Sequence, residues 1–239
     1  MKVGPLVRKA VNASPQNTMT NGPKPAYEPQ WTGWVAGKPS KTISSGETKV
    51  AKFFGNLHLV LSVGFAAALI VMFSFHSSVP VTSYSATLWL HVFFGIVWIG
   101  LLYYLNFVQV PTMPKIPAEQ KGAITGHIAP KVFFFFRYGA LLTLITGLVA
   151  AAIGGYGHEA LTFQGSGKVG LIGIGMWLGI IMAFNVWFII WPAQKKILGI
   201  IEATAEEKAA AAPRALFASR TNLLLSIPML YCMAGANFA

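Results

Sequence analysis

The chain has 239 residues, 54% of them hydrophobic and only 10% charged, and a net charge of +11 from 18 Lys+Arg against 7 acidic residues. Soluble domains carry about 25% charged residues, so a mean hydropathy of +0.58 excludes an ordinary soluble enzyme and a disordered chain. Every acidic residue is Glu and the single cysteine is Cys232, which excludes aspartyl-phosphate chemistry, EF-hand loops, disulfide frameworks and Cys-ligated zinc or iron–sulfur centres.

Residues 1–52 hold six of the 14 prolines, eight basic residues and two glutamates. This composition reads as a Pro-rich basic tail without a core of its own. Tyr27, Trp31 and Trp34 are spaced along it. Such rings suit a partner surface or a membrane interface, and they are candidate interaction residues.

Five apolar segments follow, at Phe53–Phe75, Thr87–Val110, Val132–Ile153, Val169–Trp191 and Thr221–Phe238. About 20 helical residues cross a ~30 Å hydrocarbon layer. The pattern therefore predicts an all-α, polytopic transmembrane bundle of about five helices. The last segment is short and contains Pro228. Ahead of it, Thr204-Ala-Glu-Glu207 reads as a capping box that opens a surface helix near 203–213.

Lys and Arg in short loops set orientation. They number eight in the tail, none between His76 and Ala86, three between Pro111 and Lys131, one between Gly154 and Lys168, and five between Pro192 and Arg220. Five crossings put nearly all of them on one side. This predicts a bacterial inner-membrane protein with its N-terminus cytoplasmic and its C-terminus periplasmic. The expected partners are the bilayer, anionic lipids and other membrane subunits that contact the tail, and no nucleic acid.

Polar residues inside a membrane segment are costly and mark candidate sites. His91 lies one turn or more into the second segment. His76 and His158 fall near the same membrane face. Imidazole ligates haem iron, copper or zinc, so His91, His76 and His158 are candidate metal ligands, and haem b is the candidate cofactor. The bland alternative has the interfacial histidines contacting headgroups or carbonyls. His91, Gly95, Trp98 and Leu102 share one helix face, and Gly95 leaves room beside His91 for a flat ring or a helix backbone. Arg137 has no carboxylate within any apolar segment. It either snorkels to headgroups or meets an anion from outside the chain: a propionate, a substrate or a lipid phosphate. Asn185, Arg220 and Asn222 lie near it in depth, so the four are candidates for one polar pocket. Trp187 and Trp191 suit an aromatic belt.

Four strings are distinctive: His91-Val-Phe-Phe-Gly-Ile-Val-Trp-Ile-Gly continuing to Pro111, Phe136-Arg-Tyr-Gly139, Gly175-Met-Trp-Leu-Gly continuing to Pro192, and Ser219-Arg-Thr-Asn-Leu-Leu-Leu-Ser-Ile-Pro228. Together, from about Leu88 to Phe238, they resemble the membrane domain of bacterial membrane-bound urate oxidases (urate hydroxylases). The His-x6-Trp-x-Gly opening is also similar to that of CopD-type and HemJ-type membrane proteins. The first resemblance implies a helical domain coupled to a cytochrome c module, yet these residues contain no Cys-x-x-Cys-His. Three readings follow. The first is a subunit of a larger redox or energy-transducing membrane complex. The second is a haem b oxidoreductase using His91, with Arg137 at a propionate. The third is a small anion transporter built around Arg137.

Overall fold

A computed structural model describes residues 47–236 apart from Ser77 and Val79. Tyr27, Trp31, Trp34 and most of the expected tail lie outside the described residues. The chain divides into two units, at Ala68. In the first, helix α1 (Glu47–Gly55) includes residues assigned above to the tail. Asn56 interrupts the helix and caps α2 (Leu57–Ser74), its Oδ1 accepting from the Leu59 amide at 3.1 Å. No residue of α2 is buried.

Among the described residues the second unit contains four long helices, one short helix of interest and no strand. They are α3 (Ser83–Lys115), α4 (Ala118–Ile153), the short α5 (Gly157–Leu161), α6 (Gly167–Ile197) and α7 (Ala205–Gly235). Helices α2, α3, α4 and α6 are long and apolar enough to cross a membrane. The fold is thus all-α, with the character of a polytopic membrane bundle. Segments expected to be separate at 203–213 and 221–238 form one helix, α7, which carries Pro213 and Pro228 inside it. An Ala-rich run has the highest helix propensity available, and nothing between the two segments terminates it.

Each long spanning helix of this unit contains a π segment: Tyr104–Gln109 in α3, Ile124–Ile128 in α4 and Asn185–Ile190 in α6. Pro111, Pro130 and Pro192 follow them within two residues. Proline lacks an N–H and its ring collides with the carbonyl four residues back. Widening one turn moves that carbonyl away and lets the helix continue. Beside each π segment a side chain also donates to a helix carbonyl: Asn106 Nδ2 to Leu102 O at 2.9 Å, Thr125 Oγ1 to Lys121 O at 3.0 Å and Asn222 Nδ2 to Met182 O at 2.9 Å, the last two carbonyls also accepting the Ile124 and Asn185 amides.

Small residues set the helix contacts. Helices α3 and α4 pack antiparallel through Gly139, where a Cβ would lie 3.3 Å from the Trp98 amide nitrogen, and through Gly95, 3.8 Å from Thr143. Buried residues of α7 are Ala211, Ala215, Ala218, Asn222, Ser226, Met229 and Cys232, one narrow stripe at three- and four-residue steps. That stripe runs antiparallel along α6. Ala211 and Ala215 cluster with Ala193, Asn222 meets Asn185, and a Cβ on Gly175 would lie 3.0 Å from Cys232 Cβ. Between lipid-covered helices such close backbone contact supplies the attraction that the hydrophobic effect does not.

Two local devices fix the ends. Trp177 Nε1 donates to Leu161 O at 3.0 Å and Trp177 stacks on Phe163, which has a left-handed backbone at φ 56°. At the start of α7, Thr204 and Glu207 form the capping box read from the sequence, and Lys196 Nζ lies 2.9 Å from Glu207 Oε1.

Two expectations follow. A Cβ on Gly173 would collide with the Ala160 carbonyl oxygen, whereas one on Gly122 meets nothing within 4 Å. Gly173→Ala therefore lowers stability by about 1–3 kcal/mol in detergent thermal unfolding, while Gly122→Ala leaves it unchanged or higher. The Lys196 hydrogen bond and then the Thr204 amide hold the Glu207 carboxyl below its usual range. A depressed folded value means the clasp stabilises at pH above the ordinary carboxylate range and is lost as pH falls through that depressed value. The Glu207 amide shift in micelle NMR follows this acid transition, and Glu207→Gln abolishes it.

Candidate functional site

Two features of the second unit carry polar chemistry inside the bundle, and they occupy different halves of it. The first is a buried network between α3, α6 and α7. Asn185 Nδ2 donates to Asn222 Oδ1 at 2.9 Å, Asn106 Nδ2 donates to Ser219 Oγ at 2.9 Å, and Tyr103 Oη donates to Ser226 Oγ at 3.2 Å, the serine hydroxyl itself donating to Leu223 O. Asn222 and Ser226 are fully buried. Their positions on α7, with Ser219, put three polar side chains on its inward stripe. Ser226 was not anticipated, because a serine in an apolar run carries little signal until the stripe is known. Asn106 Oδ1 and Gln109 Oε1 are buried without a hydrogen-bond partner among the described residues.

The convergence of Arg137, Asn185, Arg220 and Asn222 forms only in part. Asn185 and Asn222 meet, but Arg220 is exposed and its neighbour Ser219 takes the inward position. Asn222 is fully buried and ties α7 to α6. Arg137 instead enters an aromatic box. Its Cζ sits 3.7 Å from the Trp191 ring centroid, 5.1 Å from Tyr138 and 5.9 Å from both Phe134 and Trp187. Trp187 Nε1 also donates to the Arg137 carbonyl at 3.2 Å. Ring quadrupoles stabilise a desolvated cation by up to about 2 kcal/mol. The charge therefore has partners within the chain, beside the headgroup or external anion offered as alternatives above. Trp187 and Trp191 serve this box as well as any interfacial belt. Nη1 of Arg137 remains buried without an acceptor among the described residues.

The second feature is a cleft of about 540 Å³ bounded by α3, α4, α6 and α7. His91 stands at one end and Tyr103 at the other, twelve residues or ~18 Å apart along α3. His91 Nδ1 lies 2.9 Å from the Thr143 carbonyl. A carbonyl only accepts, so Nδ1 carries the proton and Nε2 presents its lone pair. Nε2 has no hydrogen-bond partner among the described residues. Gly147 makes room for this imidazole: a Cβ there would lie 2.8 Å from His91 Cε1 and 2.9 Å from Nδ1. Gly95 and Trp98 line the same cleft, and the Trp98 indole N–H is buried without an acceptor among the described residues.

His76 and His158 do not join His91. His76 Nδ1 accepts from the Val81 amide at 3.0 Å, which closes the turn before α3, and His158 is exposed on α5. Among the described residues no three His, Cys or carboxylate side chains come together to hold a metal. The cleft wall also contains no Lys or Arg. A haem there has one imidazole, no second one, and no cation for its propionates, since Arg137 is absent from the wall. This lining fits a neutral ligand, and the pairing of His91 with Arg137 at one haem does not form.

Residues 139–239 match a family profile described as Urate oxidase N-terminal. The match covers the second half of α4, then α5, α6 and α7. It begins after the His91–Pro111 string and after most of Phe136-Arg-Tyr-Gly139, so the similarity is narrower than those motifs implied. No curated protein and no solved structure matches the chain, and nothing in the comparisons supports the CopD-type and HemJ-type likeness.

The Asn185–Asn222 contact generates a measurable coupling. Asn222→Leu leaves Asn185 Nδ2 without its acceptor and takes the second donor from Met182 O, a loss of about 1–3 kcal/mol. In a double-mutant cycle with Asn185→Leu, unfolding in detergent shows the double variant less destabilised than the sum by about 0.6–1.7 kcal/mol.

Proposed function

We propose that the chain is an integral membrane component of a urate-oxidising redox assembly, with electron carriers supplied by other subunits. The observation that carries this reading is the match over residues 139–239. It falls on the α6–α7 pair, whose buried asparagines and small residues hold the bundle together. Four helices have the length and apolarity to cross a membrane. We take α7 as a fifth crossing, because it accompanies α6 from the Ala193 level to the Gly175 level. With five crossings the basic residues gather on the cytoplasmic face of a bacterial inner membrane, where they meet anionic lipid. The N-terminal residues then lie in the cytoplasm, and their three rings offer a surface to a partner subunit. No Cys-x-x-Cys-His occurs in the 239 residues, so a c-type haem that accepts the electrons is held outside these residues.

The test is urate-dependent oxygen consumption in membrane vesicles with and without the chain, together with gentle co-purification. The expected result is activity that depends on the chain and a c-type cytochrome that co-purifies with it. Urate oxidation unchanged on its removal, with no cytochrome bound, overturns the reading.

A further inference from the structure

We propose that the cleft ending at His91 binds a quinol, a neutral hydroxylated aromatic ring with a long apolar tail, and that one ring hydroxyl donates to His91 Nε2. The inference stands apart from the urate-oxidase reading.

Access comes first. The rim residues Val92, Ile96 and Leu230 are 52%, 69% and 40% exposed. They sit within helices that lie in the bilayer, so the cleft opens sideways into lipid and its ligand arrives dissolved in the membrane. Charge comes next. No Lys, Arg or Glu lines the wall, and an ion there has nothing to offset its desolvation. The ligand is neutral.

The polar contact is specified by the tautomer. Thr143 O fixes the proton on Nδ1, and Gly147 holds the ring against α4. Nε2 is an acceptor presented by a positioned ring, and a ligand satisfies it only by bringing an O–H or N–H. Wall shape narrows the class further. Glycines 95, 100 and 179 strip side chains from two helices, and above Gly100 and Gly179 there is no atom within 4 Å of an added Cβ. Bare backbone walls accept a flat ring. The thioethers of Met176 and Met229 line the same space, and sulfur contacts favour aromatic edges. Beyond the ring, a length of ~18 Å and a volume of about 540 Å³ exceed what a single ring fills, and the far wall is apolar to Tyr103, whose hydroxyl already meets Ser226. That space takes a prenyl-type chain. A long-chain alcohol or a protonated fatty acid has the donor and the tail but not the ring. An oxidised quinone has the ring and the tail but no donor, so the site prefers the reduced form.

The experiment uses the full chain in nanodiscs, with decylubiquinol, decylubiquinone and oleic acid as probes and tryptophan fluorescence quenching as the readout. Gly179→Leu fills the cleft at a position with open space. His91→Leu removes the acceptor, and His91→Gln restores one. Thermal unfolding verifies that each variant is folded. The expected result is saturable quinol binding, weakened about tenfold by His91→Leu, partly restored by His91→Gln, lost in Gly179→Leu, and stronger than quinone binding by a similar factor. Quinol binding that ignores both Gly179→Leu and His91→Leu, the absence of saturable binding, or equal binding of oleic acid each overturns the proposal, the last by making the occupant an acyl chain.

Discussion

The architecture depends on how α7 closes the polar groups that α6 and α3 leave open. In hydrocarbon no water is present to satisfy a stranded carbonyl or amide. Prolines 111, 130 and 192 follow π turns in three helices, and beside each turn a carbonyl takes a side-chain donor. Thr125 answers one of these from its own helix and Asn106 another, but the carbonyl of Met182 is reached from outside, by Asn222 on α7. The same Asn222 accepts from Asn185, and Ser219 and Ser226 join α7 to α3. These bonds fix the rotation and the axial register of α7, because a shift by one residue turns all three polar side chains away from their partners. Apolar burial cannot fix that register, since lipid tails and leucine side chains are equivalent environments.

Small residues then decide where the helices touch and where they part. Gly139 lets α4 lie on the Trp98 backbone, and Gly175 lets α6 lie on Cys232. Toward the α3 N-terminus the same economy of side chains has the opposite result. Gly95, Gly147 and Gly179 line the cleft that opens there, with His91 at its end. The polar network and the cleft thus divide the bundle between them. One half is cross-braced, and the other is hollow. Arg137 belongs to neither. Its aromatic box stabilises a charge that has no carboxylate available in the apolar segments, which explains how a chain free of Asp carries an arginine among phenylalanines.

Much of this was legible in the sequence, for specific reasons. Long apolar runs predicted the helices, and Thr204 with Glu207 predicted the cap that starts α7. His91 stood out because a polar residue in an apolar run is conspicuous. Other features depend on neighbours that a single sequence does not pair. Nothing local in Lys208–Arg220 marks it as the first half of a helix that continues to Gly235, rather than a separate surface element. The partner of His91 is a backbone carbonyl, at Thr143, and backbone partners leave no trace in side-chain patterns. The sequence offers Arg137 either headgroups or an external anion, and its contact with four aromatic residues depends on pairings that no local pattern shows.

The antiparallel register of α6 and α7 is open to a direct measurement, because Cys232 is the only cysteine in the chain. A Cβ at Gly175 would lie 3.0 Å from Cys232 Cβ, close to the separation of about 3.5–4.5 Å found in disulfides. Gly175→Cys in native membranes should therefore form an intramolecular disulfide with Cys232 under mild oxidant, protecting both thiols from alkylation. Two thiols that stay free in Gly175→Cys, with Ala193→Cys cross-linking to Cys232 in its place, would contradict the register on which the network and the cleft both depend.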